Sequence, residues 1–277
     1  MIKKFRTAAF FSVAVILLLA ACAVNKPNVR TPSAPLSHHT IGGKLFTSAW
    51  MQRSAEYQAL CLQAYNIATE RLDRAVDLNS RSEAPKKLAV ITDIDETFLD
   101  NSPNSVHQAL SGKDYEEVSW NAWCELADAD TVGGAVDFFR HAADRGVEVF
   151  YISNRNEANR SGTLKNLRRY GLPYADNDHL LLRTNTSNKD ERRAAVLKDY
   201  KVIIYLGDNL GDFSHLFDSN SEAERKHALW KFKREIGSRF IVLPNPNYGN
   251  WEKAMNGGYP PLSVRDSILK RTLRSHK

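Results

Sequence analysis

Two acidic side chains that end an apolar run are the residues best placed to do chemistry in this chain. Residues 89–92 are Ala, Val, Ile and Thr, and Asp93 and Asp95 follow with one residue between them. The run predicts a buried parallel strand that delivers both carboxyl groups to the sheet edge where open α/β folds place their chemistry. Because side chains alternate along a strand, both aspartates point the same way, and a hard cation or a phosphoryl group can lie between them. The same pattern also occurs at ordinary strand ends, so the interpretation needs support from elsewhere in the chain.

Three further segments place suitable groups at strand ends or helix starts. Ser153 follows a second apolar run, and Lys189 precedes a long helical pattern. Asp208 and Asp212 follow a third apolar run. Singly, these residues have structural interpretations as a turn former, a solvated lysine and a helix cap. Together they predict one site, in which a hydroxyl and a lysine bind an anion while paired acids bind a metal ion.

The elements that must position these residues alternate between helices and strands. After the first strand, the pattern predicts a helix near 134–145, a strand over 147–152, a helix near 158–169, a short strand over 180–182, a helix over 188–199, a strand over 202–206, a helical stretch over 212–236 and a strand over 240–243. Gly146 and Gly171 stand where two of these helices should end. This alternation predicts an α/β fold, a Rossmann-like parallel sheet with helices on both faces.

Two segments outside this alternation predict a smaller helical cap. Residues 44–83 carry apolar side chains mostly at helical spacing before the first strand. Residues 101–130 follow the acidic pair and combine an irregular start with tryptophans and acids. We therefore expect one domain over residues 44–277, with both segments forming the cap.

The N-terminus has the pattern of a bacterial lipoprotein signal. Basic residues precede an apolar run over 8–21 that is too short to span a membrane comfortably, and the small residues before Cys22 look like a lipobox. The resemblance implies a signal peptide over 1–21, lipid attachment to Cys22 and a flexible tether over 22–43. The alternative is a plain signal peptide with an incidental cysteine. Ala23 stands where an inner-membrane retention aspartate would be, so we expect a membrane anchor in the bacterial outer membrane.

Composition limits the partners and the cysteine chemistry. The formal net charge is +6, and removal of the three positive charges of the signal leaves +3, with basic residues scattered among acids. This charge is too small to predict binding to a nucleic acid polymer. Cys61 and Cys124 remain after the signal, and an exported compartment would allow a disulfide between them. Their helical surroundings favour two buried small hydrophobic residues instead.

With these motifs in place, the sequence resembles the haloacid dehalogenase superfamily of phosphotransferases through all four of its signature positions. More narrowly, it resembles the class C acid phosphatases, outer-membrane lipoproteins named for four aspartates, which here are Asp93, Asp95, Asp208 and Asp212. The resemblance extends from the lipobox to residues 245–252. It implies a haloacid dehalogenase-like core and a phosphomonoesterase activity.

The resemblance also implies the role of each catalytic acid. Asp93 attacks phosphorus and forms an aspartyl phosphate, which divides one difficult step into two. Asp95 protonates the leaving oxygen and later deprotonates the attacking water. Since an aspartate ordinarily has a pKa of about 3.9, this role requires neighbouring carboxylates or burial, and we expect an acidic rate optimum.

Mg²⁺ is the cofactor that the resemblance implies, because oxygen ligands and retained waters suit its octahedral coordination. Asp93 and Asp208 would bind it through their carboxylates, and Asp95 through its backbone carbonyl. Asp212 would bind directly or through a water.

Phosphate and substrate recognition follow from the same resemblance. Ser153 and Lys189 would hold the non-bridging phosphoryl oxygens. Trp123 and Tyr248 match two positions of an aromatic clamp that stacks on rings in the substrate. A third aromatic of the family falls at residues 110–111, where this chain has Leu and Ser followed by a longer loop. A role for Trp120 and Trp123 in the core of the cap is the alternative.

The resulting prediction is a phosphatase of small phosphomonoesters such as 5′-nucleotides, nicotinamide mononucleotide and aryl phosphates. A narrower sugar-phosphate or phosphotransfer activity at the same site is one alternative. A surface lipoprotein that binds haem or a host ligand and keeps an idle phosphatase site is another. Relatives without catalysis usually lack the first aspartate, whereas Asp93 is present here. Relatives also suggest a homodimer.

Overall fold

The computed structural model describes residues 38–276, so the predicted signal peptide, Cys22 and the tether up to residue 37 lie outside the described residues. The strands in this part of the chain are β1 (Leu88–Thr92), β2 (Leu99–Asp100), β3 (Asp130–Thr131), β4 (Glu148–Asn156), β5 (Leu180–Arg183), β6 (Lys201–Gly207) and β7 (Phe240–Val242). Five of them form a parallel sheet in the order β5-β4-β1-β6-β7. The central strand is therefore the one that ends in the first acidic pair.

Helices connect and cover these strands. The α-helices of the described chain are α1 (His39–Arg53), α2 (Ala55–Ser80), α3 (Ser102–Leu110), α4 (Glu117–Leu126), α5 (Ala135–Asp144), α6 (Arg160–Arg169), α7 (Asp190–Asp199), α8 (Glu222–Lys231), α9 (Asn250–Asn256) and α10 (Leu262–Thr272). Short 3₁₀ helices lie at Glu157–Asn159, Leu210–Asp212 and His215–Phe217.

The two faces of the sheet build two separate apolar cores. Val90 and Ile204 point into the larger core, which also contains side chains of α2, α5 and α6. The neighbouring Ile91 points into the smaller core with Ile152 and with Val196 of α7. Since adjacent residues of β1 serve opposite cores, this central strand is buried on both faces, as is typical of parallel sheets. The predicted fold class, a parallel sheet with helices on both faces, is confirmed.

Antiparallel strands β2 and β3 frame the segment after the acidic pair. They pair with each other, so the chain leaves the sheet region through β2, forms α3 and α4, and returns through β3. The larger core also contains Ala68 and Leu72 of α2, which are fully buried. The helix α2, which we expected in the cap as part of residues 44–83, therefore covers one face of the sheet. The wider division of the chain into core and cap stays a prediction.

A carboxylate from the C-terminal helix fixes the start of α1. Asp266 accepts backbone N–H groups of His39 and Thr40 at 3.1 and 2.9 Å, and the Thr40 hydroxyl at 2.7 Å. The His38 ring lies 2.9 Å from the same carboxylate. These contacts satisfy N–H groups that a helix start leaves unpaired. The helix therefore begins within the last residues of the segment predicted as tether, which was assigned to 22–43.

The stretch predicted as helical over 212–236 is divided into three pieces. Ser214 accepts the N–H of Leu216 in the 3₁₀ helix His215–Phe217, and Ser221 accepts the N–H of Glu224 at the start of α8. Such local side chain to backbone bonds compete with a continuous helix. The helical stretch predicted over 212–236 is therefore interrupted, and only residues 222–231 of it form an α-helix.

Both remaining cysteines are buried, and neither forms a disulfide. Cys61 and Cys124 thus act as small hydrophobic residues, as predicted. Within residues 38–276, every helix is too short or too polar to cross a membrane.

Candidate active site

Three of the predicted aspartates form an acidic cluster at the carboxyl edge of the sheet. Asp93 follows β1, and Asp208 follows the neighbouring strand β6. The N–H of Asp93 donates to the Leu206 carbonyl at 2.9 Å, which holds these strand ends side by side. Asp212 reaches the same place from the first turn after β6, and one carboxylate oxygen from each aspartate lies within 4.8 Å of the others. Carboxylates this close are stable in ionised form only beside a cation.

Lys189 is the cation that the chain itself supplies. It stands immediately before α7, and its side chain is only 4% exposed. Its ammonium group pairs with the Asp93 carboxylate and, at 2.7 Å, with that of Asp212. One ammonium group faces three carboxyl groups, so the fully ionised cluster keeps an excess of negative charge.

Burial and mutual repulsion change how these groups titrate. Burial raises the pKa of Asp93 to about 7, although the Lys189 ammonium opposes this shift. Burial and the charges of Asp212 and Asp93 raise the pKa of Asp208 well above its ordinary value. Burial acts to lower the pKa of Lys189, but the two carboxylates outweigh it and the pKa is raised. The lysine is therefore charged at neutral pH, and the acids favour a second positive charge nearby.

Neutral donors and a glycine hold the remaining acids in place. Asp208 accepts hydrogen bonds from the side-chain amides of Asn245 and Asn209 at 2.7 and 2.8 Å. The Asn209 N–H donates to the Asp212 carboxylate at 3.0 Å. A Cβ at Gly207 would lie 2.4 Å from an oxygen of Asp212, so any larger residue would displace that carboxylate. The loop after β6 is therefore built to position two acids.

The fourth predicted aspartate, Asp95, points its carboxylate away from this cluster. It accepts two hydrogen bonds from Arg155, from Nη2 at 2.7 Å and from Nε at 3.0 Å. The side-chain amide of Asn101 donates at 2.8 Å, and the Ser153 hydroxyl at 3.3 Å. Sequence reasoning missed Arg155 as a site residue. The alternation of β4 could have found it, since Arg155 stands two residues after Ser153 and so lies on the same side of the strand.

Ser153 is fully buried in the second half of β4, beside Asp95. Its hydroxyl is directed to Asp95 at 3.3 Å, so the predicted contact with phosphate stays a prediction. Arg192, which the sequence did not single out, donates to the Ser153 carbonyl at 2.6 Å and to the Asn154 side chain at 2.8 Å. It brings a second cation to the side of the site where Lys189 lies.

The two predicted substrate aromatics bind residues that follow β1. The Trp123 indole N–H donates to the Asn101 side-chain carbonyl at 2.8 Å. The Tyr248 hydroxyl donates to the Glu96 carboxylate, a fully buried group with its backbone in the left-handed region at φ 56°. Burial raises the pKa of Glu96 well above its ordinary value, an effect that the Asp95 charge strengthens. Nothing in the sequence pattern indicated this buried acid.

Two tryptophans on α4 contact residues that donate hydrogen bonds to the Asp95 carboxylate. The Arg155 guanidinium lies 5.5 Å from the centre of the Trp120 ring. Trp123 is half-buried and packs against the larger core as well as binding Asn101. Both interpretations of these tryptophans, substrate contact and cap core, stay predictions. Tyr115, on the loop before α4, is mostly exposed.

Fold and site together define a class of protein. Open parallel sheets bind ligands at the carboxyl ends of their strands, and this edge carries clustered carboxylates and a buried lysine. Neutralisation of charge by cations beside an anionic nucleophile is what phosphoryl transfer requires. The arrangement is therefore typical of α/β phosphotransfer enzymes.

Comparison with known proteins gives the family. The family model of the HAD superfamily, subfamily IIIB (acid phosphatase), matches residues 10–251, which is most of the chain. The chain belongs to this family of phosphomonoesterases, and the predicted resemblance and enzyme class are confirmed.

Solved structures and a plant relative agree with this assignment. The class C acid phosphatase from Bacillus anthracis is 34% identical, with a TM-score of 0.80 over 86% of this chain and 99% of that chain. A structure of the class C acid phosphatase from Bacillus anthracis with tungstate bound is 35% identical, with the same TM-score and coverage. Acid phosphatase 1 from Solanum lycopersicum is 29% identical over 166 residues, so the chain spans 57% of that relative.

Proposed function

We propose that this protein is a divalent-metal-dependent acid phosphatase that hydrolyses small phosphomonoesters through an aspartyl phosphate on Asp93. The observation that carries the proposal is the buried pairing of Lys189 with Asp93 and Asp212 beside Asp208. It supplies a nucleophile, a fixed cation and a metal-binding set of oxygens in one place. Membership of the acid phosphatase family supports the same reaction.

The donor set of the cluster fits a hard divalent cation, and we propose Mg²⁺. Asp93, Asp208 and Asp212 offer only carboxylate oxygens, the ligands that Mg²⁺ prefers. When bound, the ion would offset the negative charge of these acids and of the substrate's phosphoryl group. The Asp95 side chain is occupied by Arg155, so its contribution would come from the backbone carbonyl.

The reaction has two displacements at phosphorus. A carboxylate oxygen of Asp93 attacks the phosphorus, the bond to the ester oxygen breaks, and the alkoxide or phenoxide leaves with a proton from Asp95. Asp95 then takes a proton from water, whose oxygen attacks the aspartyl phosphate and releases inorganic phosphate and the free Asp93. Lys189 and Ser153 would hold the non-bridging oxygens, where negative charge is greatest.

Substrate choice depends on groups around the leaving-group side of Asp95. Trp123 and Tyr248 donate hydrogen bonds to Asn101 and Glu96, respectively. These bonds hold both rings close to Asp95, the proposed general acid. Aromatic faces accept many rings, which favours 5′-nucleotides, nicotinamide mononucleotide and aryl phosphates as substrates. Tungstate in the Bacillus anthracis relative is a tetrahedral oxyanion like phosphate, which is consistent with an oxyanion site in this fold.

Phosphate release tests the reaction and its nucleophile. We expect the chain to release phosphate from these three substrates with Mg²⁺, to stop with a chelator, and to lose at least about 1000-fold in kcat as Asp93→Asn. Asp178→Asn, an exposed aspartate outside the site, is the matched control and should keep full turnover. Absence of turnover by well-folded wild-type protein would overturn the proposal and favour a ligand-binding lipoprotein.

We also propose that the protein is anchored by lipid on Cys22 in the outer membrane, where it would remove phosphate from charged compounds before uptake. The lipobox pattern supports this location. Cys22→Ser should release the protein into the soluble fraction of cells, as followed by immunoblot after membrane separation. Unchanged membrane retention would contradict the lipid anchor. The suggested homodimer is checked by light scattering on the released form.

A further inference from the structure

Arg155 is the most thoroughly fixed cation of the site outside the acidic cluster. Its side chain is 1% exposed, and its Nη1 donates to the Thr163 hydroxyl at 3.0 Å. That hydroxyl donates in turn to the Asn159 carbonyl at 2.7 Å. The Trp120 ring covers the guanidinium at 5.5 Å. A guanidinium held by a hydrogen bond at one nitrogen and by a ring over one face presents its remaining N–H groups in one fixed direction.

That direction is the Asp95 carboxylate, whose two oxygens have different surroundings. Oδ1 accepts Arg155 Nη2 at 2.7 Å, Arg155 Nε at 3.0 Å and Asn101 Nδ2 at 2.8 Å. Oδ2 has only two longer contacts, both at 3.3 Å, with Ser153 Oγ and Arg155 Nε. Oδ1 therefore holds the three short contacts. Of the two long contacts of Oδ2, one shares the single Arg155 Nε–H with Oδ1 and the other comes from a hydroxyl that can rotate away. A proton is therefore accommodated more readily on Oδ2 than on Oδ1.

From this asymmetry we infer that Arg155 is a positioning residue for proton transfer, which saturates Oδ1 of Asp95 and leaves Oδ2 as the oxygen that carries the proton to the leaving group. The inference rests on the proposed function. A proton moves from Oδ2 to the ester oxygen as its bond to phosphorus breaks, and water returns a proton to Oδ2 in the second displacement. Arg155 itself exchanges no proton and touches no substrate.

The dependence of rate on the leaving group tests this role. A poor leaving group needs the proton more than a good one, so loss of a well-placed acid costs more with phenyl phosphate than with p-nitrophenyl phosphate. We expect Arg155→Met to lower kcat/KM for phenyl phosphate at least about tenfold more than for p-nitrophenyl phosphate. The parameter kcat/KM reports the steps up to departure of the leaving group. Arg81→Met, an exposed arginine before β1, is the matched control and should leave both values unchanged.

A double-mutant cycle with Asp95→Asn separates positioning from structure. Because Arg155 acts through Asp95, adding Arg155→Met to Asp95→Asn should lower kcat/KM by less than about threefold. Equal losses for both leaving groups, or additive losses in the cycle, would overturn the inference. Arg155→Lys keeps the positive charge but loses the planar guanidinium that donates to Asp95 from two nitrogens. If Arg155→Met does not fold, the same comparison of the two esters is made with Arg155→Lys. Failure of the wild-type protein to hydrolyse either ester would instead overturn the proposed function.

Discussion

Around Asp93, one ammonium group faces three carboxyl groups. This excess of negative charge determines how a substitution of Lys189 affects the site. Lys189 is buried, so its removal takes the only fixed cation from the acidic cluster among the described residues. An ion at the proposed metal site would compensate for part of the lost charge in the resting protein. It would not replace the hydrogen-bond donor that, in the proposed reaction, Lys189 would provide to the phosphoryl oxygens in the transition state.

We therefore expect Lys189→Ala to impair turnover far more than folding. With saturating Mg²⁺, kcat should fall at least about 100-fold, while the thermal midpoint shifts by only a few degrees. Phosphate release and thermal unfolding under the same conditions measure both effects. Lys198→Ala, on the exposed side of the same helix, is the control and should change neither quantity. A loss of folding in proportion to the loss of rate would contradict the catalytic role.

The residue types and their spacing were enough to predict the aspartates that lie at strand ends. They were not enough to predict the residues that pair with these aspartates, because that pairing depends on the tertiary structure. Asp93 and Asp208 follow apolar runs, and parallel strands necessarily bring such ends to one edge. The bidentate pair between Asp95 and Arg155 depends on the order of strands β1 and β4 in the sheet, which the sequence pattern does not specify. Glu96 had no signal, since a buried acid with positive φ contradicts every local preference.

At the scale of elements, a histidine connects the edge strand β5 to its neighbour β4. His179 precedes β5, with Nδ1 at 2.8 Å from Asp176 and Nε2 at 3.1 Å from Glu148 at the start of β4. The rings of Phe150 and Tyr174 each lie 4.8 Å from the imidazole. A neutral imidazole can donate from only one nitrogen, so the ring donates to both carboxylates only when it is protonated.

The titration of His179 gives the edge of the sheet a pH-dependent stability. Burial acts to lower its pKa, but Asp176 and Glu148 outweigh that effect and the pKa is raised. Because the folded pKa lies above the unfolded value of about 6.5, this stabilisation is complete below that pH and is lost as pH rises through the folded pKa. The difference in the free energy of unfolding between wild type and His179→Gln should be largest near pH 5.5. It should shrink by about 1 kcal/mol at higher pH.

Urea unfolding at several pH values measures this difference. His107→Gln, an exposed histidine on α3, is the control and should track the wild type at every pH. A difference between wild type and His179→Gln that is constant from pH 5 to 9 would contradict a charged ring between the two acids.

The order of strands and helices was predictable because each element carries its own hydrophobic period, whereas their ends depend on single polar contacts. Helices α5, α6 and α7 lie close to their predicted positions. The region after β6 did not follow the pattern, because Asp212 and Ser214 satisfy backbone groups locally and stop the helix that the apolar spacing favours. The same bonds hold Asp212 at the site, so the irregularity and the chemistry have one cause.

For the molecule as a whole, the buried acids link stability to protons and metal. Burial raises the folded pKa of Asp93 to about 7 and that of Asp208 well above its ordinary value. Both groups hold protons in the folded chain at pH values where the unfolded chain has released them. The metal-free protein therefore loses this contribution to stability as pH rises from about 4 to about 7.

Divalent metal should oppose this loss of stability at higher pH, because it binds the ionised carboxylates. We expect the rise in thermal midpoint on adding Mg²⁺ to be small at pH 5 and several degrees larger at pH 7.5. Thermal scans with Mg²⁺ and with chelator at both pH values measure it. Asp178→Asn should repeat the wild-type result, and Asp208→Asn should lose most of the metal-dependent shift. An equal shift at both pH values would contradict metal binding by these acids.

The contact between His38 and Asp266 has a topological consequence. It brings the first described residue to α10, whose last residue, Thr272, is six positions beyond Asp266, or about 9 Å along a helix. The two ends of the described part of the chain are therefore neighbours in space. A circular permutant that joins them through a short linker, and opens instead at the exposed turn near Gly112, would keep the sheet, both cores and the acidic edge without rerouting any strand.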